Sequence, residues 1–468
     1  MTRTRFAPSP TGRIHLGNAR TALFNALLAA RDGGAFVLRL EDTDAARDRA
    51  EFAGELYEDL RWLGLGWQEG PDTGGPHAPY AQSGRDDIYA RYYAQLDAAG
   101  HTYPCFCSPQ ELAISRKAQL AAGRPPRYAG TCAALTPAEV EQRLAAGKQP
   151  SLRFRVPDGR AIVFDDLVRG RQEFRGEDIG DFIIRRADGT PAFFFSNAVD
   201  DALMGITHAL RGEDHLANTP RQLLILEALG LPAPRYGHIA LVLSEQGGPL
   251  SKRAGAASIR GFRLHGYLPG ALSNYLARLG HHYPDDAYRD MAGLARDFDP
   301  AHLGRAPAHF DPAQLDHWQR VAISHLRADE RRAWLAKVLE KHVPADQQDA
   351  FLEAVLPNIL FPYEALVWAQ IIFGPAVNPA QPLRDVLRQA GKAFFAAAQT
   401  AIEQAGTDYA ALTATVREAT GAKGKALFQP LRIALTGRSA GPELAHLLPM
   451  LGADRAAERF AAAAALCD

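Results

Sequence analysis

The sequence predicts an α/β fold in its N-terminal half and an all-α region at its C-terminal end. Residues 3–44 read as a strand, a Gly/Pro-rich loop, a helix and a second strand. Apolar runs that alternate with helices return between about 197 and 243, and the chain after about 325 is rich in alanine and leucine without strand signals. This order predicts a parallel-sheet domain that is split by an insertion and followed by helices.

The first helix is indicated by four apolar residues at helical spacing, Leu16, Ala19, Leu23 and Leu27. Arg20 and Asn25 fall off that line, which predicts one apolar and one polar face. Gly33 and Gly34 are expected to end the helix. The strand that follows leads into Glu41 and the nearby Asp42 and Asp44, at the sheet edge where open α/β folds bind ligands.

The loop before this helix carries Pro8, Pro10 and Gly12, and the helix begins at His15-Leu16-Gly17-Asn18. An imidazole and backbone amides at a helix N-terminus suit a phosphate chain, because the helix dipole and the donors both favour negative charge. The alternative is a histidine that only caps or packs. The G-x-G-x-x-G pattern is missing here, which argues against a hydride-transfer cofactor.

Length and composition narrow the class of protein. A chain of 468 residues suggests about three domains. Its 52 basic and 53 acidic residues mean that a nucleic-acid surface must come from local clustering of charge. No run of eighteen apolar residues and no apolar segment typical of a signal peptide occurs, so we expect a cytoplasmic protein that does not contact a membrane. Four cysteines do not suggest a disulfide framework.

Residues from about 80 to 195 read as an α+β insertion. We expect a helix at about 84–99 and two further helices, each introduced by a capping box with proline at the first helical position, Ser108 to Glu111 and Thr136 to Glu139. Strands are predicted at SLRFRV and AIVFDDLV. FIIRR and TPAFFF are expected to form a hairpin that returns to the main sheet.

Several motifs resemble one enzyme family. H-L-G-N after A-P-S-P-T-G looks like the HIGH motif of class I aminoacyl-tRNA synthetases, and RFAPSPTG with RLEDTD resembles the bacterial glutamyl-tRNA synthetases. Residues 207–222, 249–255 and 423–437 extend the resemblance nearly end to end. It implies a Rossmann-type catalytic domain in two parts (1–75 and 191–245), an acceptor-binding insertion (76–190), a KMSKS loop with stem-contact helices (246–325) and a helical anticodon-binding domain (326–468).

The resemblance implies that ATP with Mg²⁺ activates L-glutamate, which then passes to the 3′ end of tRNA-Glu, and that the enzyme is a monomer. Relatives of this kind generally need bound tRNA before they activate glutamate. PLSKR looks like the KMSKS loop, with Pro249 where a lysine commonly stands. His15 and Lys252 are the expected catalytic residues. The expected ATP-binding residues are Thr11, Gly12, His15, Gly17, Asn18, Ser251, Lys252 and Arg253.

The resemblance assigns six residues to the glutamate pocket: Arg5, Ser9, Glu41, Phe193, Asn197 and Arg211. Two guanidiniums can fork onto carboxylates, and Glu41 can pair with the substrate ammonium. Phe193 stands where the family usually has tyrosine, so a hydroxyl donor is lost. The alternatives are that Arg5 is a surface residue at the sheet edge and that Arg211 pairs with Glu213 or Asp214.

Cys105, Cys107, Tyr128 and Cys132 bring three thiols and a phenol to the ends of a helical hairpin. Their spacing resembles the zinc site of some family members and of the related glutamyl-queuosine synthetases. His101 is an alternative ligand. The other interpretation is a group of reduced, half-buried cysteines without metal.

The insertion also carries eight arginines that could grip an RNA backbone: Arg116, Arg124, Arg127, Arg153, Arg155, Arg169, Arg171 and Arg175. Two other functions compete with the synthetase. One is a glutamyl-queuosine tRNA-Asp synthetase, against which the helical tail argues, and the other is a non-catalytic tRNA-binding paralogue. The sequence leaves open whether tRNA-Gln is charged as well as, or instead of, tRNA-Glu.

Overall fold

The protein is described here from a computed structural model that defines residues 1–43, 50–124, 126–244, 247–248, 258–375 and 378–467. The chain forms two compact units. The first comprises Met1–Leu264 and Pro269–Leu315, and the second comprises His265–Leu268 and Asp316–Asp468. The finer domain limits given above remain predictions.

Two parallel strand pairs form the sheet that carries the site. Strand β1 (Arg3–Phe6) pairs with β2 (Ala35–Leu38), and β8 (His208–Gly212) pairs with β9 (Arg235–Ile239). The pairs meet where the backbone N–H of Thr207 donates to the carbonyl of Arg3 over 2.9 Å. The carboxyl ends of these strands therefore lie at one edge, as the predicted α/β class requires.

The remaining elements of the N-terminal part include those of the insertion, and their strands form separate small sheets. The helices are α1 (Leu16–Arg31), α2 (Ala50–Trp62), α3 (Asp86–Ala98), α4 (Pro109–Ala121), α5 (Pro137–Ala145), α6 (Gly176–Ile179), α7 (Phe193–Leu203), α8 (Thr219–Leu229), α9 (Ile259–His265), α10 (Pro269–Arg278) and α11 (Met291–Arg296). The strands are β3 (Thr102–Cys105), β4 (Ser151–Phe154), β5 (Ala161–Asp166), β6 (Gly170–Arg175), β7 (Phe182–Arg185), β10 (Val242–Leu243) and β11 (Ala308–His309).

Helix α1 is buried on more than the one face that its sequence predicts. Arg20 and Asn25, expected on the polar face, are both buried. The Arg20 guanidinium donates to the carbonyls of Leu279 and Ala240, and the Asn25 amide donates to the carbonyl of Leu210 over 2.9 Å. Each polar group is thus satisfied by backbone from another element, which makes its burial tolerable.

The insertion keeps most of its predicted elements. Both capping boxes are present, and the predicted helices begin where those boxes place them. Strands β3, β4 and β7 form an antiparallel sheet. Strand β6, which the sequence analysis did not include, pairs with β5 in an antiparallel hairpin. Polar residues predominate in β6, so its sequence lacks the apolar pattern that predicts a strand.

The predicted hairpin at FIIRR and TPAFFF is wrong in its second half. Arg185 and Pro191 share a single bridge, and the chain then enters α7 at Phe193. A short run of apolar residues fits a buried helix as well as a buried strand. Here the helix prevails because Phe195 and Val199, four residues apart, both enter the core.

The core of the insertion continues into the catalytic part of the same unit. Phe195 of α7 stacks on Tyr93 of α3 with ring centroids 4.1 Å apart, and both belong to a cluster that includes residues of β4, β7 and α8. Movement of the insertion away from the catalytic part would expose these apolar surfaces to water, which is unfavourable. The shared core therefore resists independent movement of the insertion.

The C-terminal part is helical, as predicted. Its helices are α12 (Pro312–Ser324), α13 (Ala328–His342), α14 (Gln348–Val355), α15 (Pro362–Phe373), α16 (Gln381–Ala390), α17 (Lys392–Ala405), α18 (Tyr409–Thr420), α19 (Lys425–Thr436), α20 (Leu444–Leu451) and α21 (Ala453–Ala465). Among the residues that the structure defines, no helix combines the length and apolarity that a membrane crossing needs.

Asp59 on α2 is a buried acid with an unusual environment. It is 1% exposed, and neither carboxylate oxygen has a hydrogen-bond partner among the described residues. Burial raises its pKa to about 6, although the charges of Arg263 and Arg260 oppose the shift. Because the folded pKa lies above the unfolded value of about 4, this group stabilises the fold at low pH and ceases to do so as pH rises from about 4 to about 6.

We therefore predict that Asp59→Asn raises the free energy of unfolding at pH 7 by roughly 2 kcal/mol, because the amide never ionises. The difference should vanish near pH 4. Urea unfolding of both proteins across this pH range measures it. The exposed Asp158→Asn variant is the control and should match wild type. Equal stability of wild type and Asp59→Asn at pH 7 would contradict the prediction.

Candidate active site

A cavity of about 650 Å³ opens at the carboxyl ends of β1 and β8 and at the N-terminus of α1. This volume is in the range of small-molecule sites. Its lining includes Arg5, Ser9, Thr11, His15, Gly17, Asn18, Arg20, Glu41, Phe193, Asn197, Arg211 and His215. All six candidates for glutamate binding are among them.

His15 is the N-cap of α1, and its Nδ1 accepts the backbone N–H of Asn18 over 3.4 Å. The histidine thus does cap the helix, and its ring also lines the cavity. A Cβ at Gly17 would lie 3.2 Å from Cε1 and 3.3 Å from Nδ1 of the imidazole, so a larger residue there would press against the ring and shift it. Gly12 is the one described candidate for ATP binding that is not in the lining.

The other expected catalytic residue, Lys252, lies outside the described residues. The same is true of Ser251 and Arg253, of the rest of the PLSKRAG segment and of Asp44.

A buried network of charges surrounds the glutamate candidates. Asp201 of α7 accepts the Nε of Arg5 over 3.1 Å and the Nη1 of Arg39 over 2.7 Å. All three side chains are nearly inaccessible to water. Burial alone would raise the pKa of Asp201, but the two guanidiniums outweigh it and lower that pKa. Arg5 is therefore a core residue, not a surface arginine at a sheet edge.

Glu41 is held from two sides. Its Oε1 accepts the Nη2 of Arg39 over 3.2 Å and the Nδ2 of Asn197 over 2.6 Å. The Asn197 oxygen accepts the amide of Gln222 over 2.7 Å, which fixes the orientation of the Asn197 amide. Burial raises the pKa of Glu41, with Arg39 and Asn197 opposing the shift. A cation that entered the cavity would favour the carboxylate form of Glu41.

Arg211 of β8 is buried without an acidic partner. Its Nη2 donates to Thr219 Oγ1 over 2.8 Å and to Gln222 Oε1 over 2.6 Å, and its Nε donates to His238 Nε2 over 3.1 Å. Its Nη1 is buried and has no hydrogen-bond partner among the residues that the structure defines. Burial lowers the pKa of Arg211 to about 10, so the group stays charged at neutral pH.

The alternative pairing of Arg211 with Glu213 or Asp214 does not occur. Glu213 binds the guanidinium of Arg169 and the backbone N–H of Leu241 instead. The carboxylate of Asp214 lies beside His215, with Oδ2 3.8 Å from Nε2 of the imidazole.

Phe193 and His215 form an aromatic wall of the cavity, with ring centroids 5.0 Å apart. Burial and the charge of Arg211 lower the pKa of His215 to about 4, so this imidazole is neutral near pH 7. The exposed Ser9 lies on the loop that follows β1. The cavity thus combines fixed charged groups, those of Arg5, Glu41 and Arg211, with an uncharged wall formed by Phe193 and His215.

The four candidate metal ligands also come together. The Sγ atoms of Cys105, Cys107 and Cys132 all lie within 4.8 Å of one another. The Tyr128 hydroxyl lies 3.4 Å from Cys105 Sγ and 3.6 Å from Cys107 Sγ, and it accepts the backbone N–H of Cys132 over 2.8 Å. His101 is not in this group, and its ring stacks on Phe154.

The Cys105 thiol and the Tyr128 phenol of this group are shifted in opposite directions in pKa. Burial raises the pKa of the Cys105 thiol, but hydrogen bonds from Tyr128 and Arg153 reverse the shift and lower that pKa to about 7. Burial and the neighbouring sulfurs raise the pKa of the Tyr128 phenol. Tyr128 is thus a phenol unless a metal displaces its proton.

Two of the eight arginines of the insertion, Arg153 and Arg169, are buried or half-buried, and two exposed ones also have partners: Arg127 donates to the carbonyl of Glu177, and Arg155 lies over the ring of Tyr103. The Arg153 guanidinium covers the Tyr128 ring at 3.6 Å and donates to the carbonyl of Asp181, and Arg169 pairs with Glu213. Six others remain exposed enough to meet a polyanion: Arg116, Arg124, Arg127, Arg155, Arg171 and Arg175.

Several side chains of the site were not predicted. Arg39 belongs to the RLEDTD motif, and Thr219, Gln222 and His215 belong to the quoted segment 207–222, so the motifs pointed to them without naming them. Asp166, Asp201 and His238 lie outside every quoted motif. Only their position in the fold brings them to the cavity wall or behind it.

Comparisons with known proteins identify the family of this chain. The family profile described as tRNA synthetases class I (E and Q), catalytic domain, matches residues 1–317. The profile described as anticodon binding domain matches residues 377–464.

Full-length relatives are similar throughout. Glutamate–tRNA ligase 2 of Nitrosococcus oceani is 57% identical over 98% of this chain and 97% of its own, and glutamate–tRNA ligase 1 of Halorhodospira halophila is 54% identical over 99% and 97%. The crystal structure of a glutamate tRNA ligase from Elizabethkingia meningosepticum, in complex with its amino acid, superposes with a TM-score of 0.90 at 29% identity and covers both chains fully. The chain therefore belongs to the class I glutamyl- and glutaminyl-tRNA synthetase family, among its bacterial glutamate–tRNA ligases.

Proposed function

We propose that this protein is an ATP-dependent glutamate–tRNA ligase that works in two steps. A carboxylate oxygen of glutamate attacks the α-phosphorus of ATP, the bond to the β-phosphate breaks, and pyrophosphate leaves. A terminal ribose hydroxyl of the tRNA then attacks the activated carbonyl, and AMP leaves. The site contributes positioning and electrostatic stabilisation to both steps.

One observation carries the choice of glutamate. Five buried guanidiniums lie in or behind the cavity, those of Arg5, Arg20, Arg39, Arg85 and Arg211, and four buried carboxylates accompany them, those of Glu41, Asp166, Asp200 and Asp201. Three of the guanidiniums bind these carboxylates directly. Arg20 donates to backbone carbonyls, and Arg211 donates to neutral side chains. Five guanidiniums against four carboxylates leave a surplus of one positive charge, and the Nη1 of Arg211 has no hydrogen-bond partner among the described residues. A glutamate zwitterion carries one net negative charge, whereas glutamine carries none.

The other substrate groups find complementary partners. We assign the substrate ammonium to Glu41, whose carboxylate Asn197 and Arg39 orient. Ser9 lies where its hydroxyl can fix the orientation of the bound amino acid. Arg5 is already partly neutralised by Asp201, so Arg211 is the stronger attractor for a second carboxylate.

We assign the ATP phosphates to the N-terminus of α1. The helix dipole favours negative charge there, and His15, Gly17 and Asn18 face the cavity. Mg²⁺ enters as part of the ATP substrate. Lys252 keeps its proposed role in stabilising the departing pyrophosphate.

The rival glutamyl-queuosine synthetase is disfavoured because residues 377–464 match an anticodon-binding region. The choice of tRNA depends on that region. Segment 356–374, which includes α15, has no basic residue, whereas an arginine in this neighbourhood is often linked to anticodon selectivity in the family. We therefore keep tRNA-Gln as a substrate to be tested beside tRNA-Glu.

The test is glutamylation by the purified protein with ATP and Mg²⁺, on separate tRNA-Glu and tRNA-Gln transcripts, with pyrophosphate exchange in the absence of tRNA. Charging of tRNA-Glu alone indicates a discriminating enzyme, and charging of tRNA-Gln indicates a relaxed or specialised one. A folded protein that charges neither would contradict the proposal and favour the non-catalytic paralogue.

In the same assay, we predict that Arg211→Lys raises the KM for glutamate at least about tenfold, which corresponds to about 1.4 kcal/mol. Lysine keeps the charge but lacks the planar fork that matches a carboxylate. The KM for ATP should change by less than about twofold. The surface variant Arg160→Lys is the matched control. An unchanged KM for glutamate in Arg211→Lys would refute the assignment.

Phe193→Tyr should lower the KM for glutamate several-fold, because it adds a hydroxyl to a ring that lines the cavity. One hydrogen bond of about 1 kcal/mol corresponds to about a fivefold change. Phe194→Tyr is the control, since that ring lies against Phe182 and Arg221 and not in the cavity. A rise in KM for Phe193→Tyr would show that the site has adapted to the loss of the hydroxyl.

We also infer that Cys105, Cys107, Tyr128 and Cys132 hold a structural zinc ion. In a tetrahedron with Zn–S bonds of about 2.3 Å and a Zn–O bond of about 2.0 Å, the S–S edges measure about 3.8 Å and the O–S edges about 3.5 Å. Cys107 Sγ and Cys132 Sγ lie 3.7 Å apart, and the two Tyr128 edges are 3.4 and 3.6 Å. Three of the six edges therefore match a tetrahedral ion, and the other distances between sulfurs are within 4.8 Å.

Metal analysis of the purified protein should give about one zinc per chain. Cys132→Ser should lose it, whereas Cys467→Ser, the control at the fourth cysteine, should keep it. Tyr128→Phe should bind zinc more weakly, and its affinity should depend less on pH because no phenol has to ionise. Zinc content that is the same in wild type and Cys132→Ser would contradict the inference.

A further inference from the structure

The contacts behind Arg211 suggest how the site orients this guanidinium without neutralising it. Arg211 and His238 are direct neighbours across the parallel pair of β8 and β9. The Arg211 Nε donates to His238 Nε2 over 3.1 Å. An arginine Nε–H can only donate, so His238 Nε2 must carry a lone pair. The proton of the neutral ring is therefore on Nδ1.

Asp166 fixes that arrangement. Its Oδ2 lies 2.5 Å from His238 Nδ1. Its Oδ1 accepts three backbone N–H groups, those of Val168 at 2.9 Å, Arg169 at 2.8 Å and His238 at 3.2 Å. Both side chains are inaccessible to water. The carboxylate therefore cannot turn, and it presents only an acceptor to Nδ1.

The imidazole between Asp166 and Arg211 has an electrostatic consequence. Arg5 and Arg39 bind Asp201 directly, and the carboxylate takes up part of their charge. Arg211 is held equally firmly, but by a neutral ring, a hydroxyl and an amide. Burial and the charge of Arg211 lower the pKa of His238, although Asp166 opposes this, which keeps the ring neutral.

We propose that His238, held as the Nδ1–H tautomer by Asp166, is a positioning residue that aims Arg211 at a carboxylate of the amino-acid substrate. This inference rests on the proposed function, since it concerns how the glutamate pocket is built. Asp166 and His238 do not touch the cavity themselves and act only through Arg211. Asp166 belongs to strand β5 of the insertion, so the insertion supplies part of the support for the amino-acid site.

Asp166→Asn tests the tautomer. Three backbone donors require an oxygen at the Oδ1 position, so the asparagine NH₂ must face His238 Nδ1. The ring would then carry its proton on Nε2, opposite the N–H of Arg211. We expect the KM for glutamate to rise at least about tenfold, while the KM for ATP changes by less than about twofold. In ¹⁵N-histidine-labelled protein, the His238 signals should change from the Nδ1–H to the Nε2–H tautomer.

A second pair of variants tests the acceptor itself. His238→Gln keeps an oxygen that can accept from Arg211 and an NH₂ that can donate to Asp166, and it should stay within about threefold of the wild-type KM for glutamate. His238→Leu keeps a similar volume without the acceptor, and it should raise that KM at least about tenfold. Thermal unfolding and the KM for ATP serve as controls for a general loss of structure.

The outcomes separate the two proposals. Wild-type protein that does not charge glutamate contradicts the proposed function. Wild-type protein that is active, with His238→Leu unchanged or with His238→Gln and His238→Leu equally impaired, overturns the positioning role alone. A tautomer change in Asp166→Asn without a change in the KM for glutamate also overturns it.

Discussion

The structure of the site depends on one buried ion cluster, in which Asp201 holds Arg5 and Arg39. Taking such charges out of water costs several kcal/mol for each ion, and only close, well-oriented pairing offsets that cost. Asp201 belongs to α7, Arg5 to β1, and Arg39 follows β2 directly. The cluster therefore joins the returning half of the sheet domain to its first strands. Removing Asp201 would leave the guanidiniums of Arg5 and Arg39 in the core without the carboxylate that they share.

This constraint divides the buried arginines into two kinds. Arg5, Arg39 and Arg85 have carboxylate partners and set the geometry of the floor. Arg20 and Arg211 have neutral partners only, and the Nη1 of Arg211 has no hydrogen-bond partner in the described part of the chain. A site with no surplus charge would not distinguish a dicarboxylate from its amide by electrostatics. The surplus is stable here because the protein keeps it next to groups that accept hydrogen bonds but carry no charge.

Sequence patterns correctly predicted the elements that are determined by interactions between residues close together along the chain. Both capping boxes begin helices at the expected residues, because the side chain and the backbone that it caps lie within four residues of each other. The local pattern of TPAFFF predicts a strand and that of α1 predicts a polar face, because a local pattern carries no information about the neighbouring elements. In the folded chain, Phe195 is helical and stacks on Tyr93, and the buried Asn25 amide donates to the carbonyl of Leu210.

The sequence by itself determined the α/β class, the family motifs and the set of residues that could bind ATP, glutamate and zinc. These features follow from residue type and from spacing along the chain, because each pattern lies within a single strand–loop–helix unit or a single hairpin. Only the tertiary structure decided which arginines remain without an acid, that Glu41 is held by Asn197 and Arg39, and that Asp166 of the insertion supports His238. Those relations join residues up to 156 positions apart, and charge compensation between them exists only after the chain has folded.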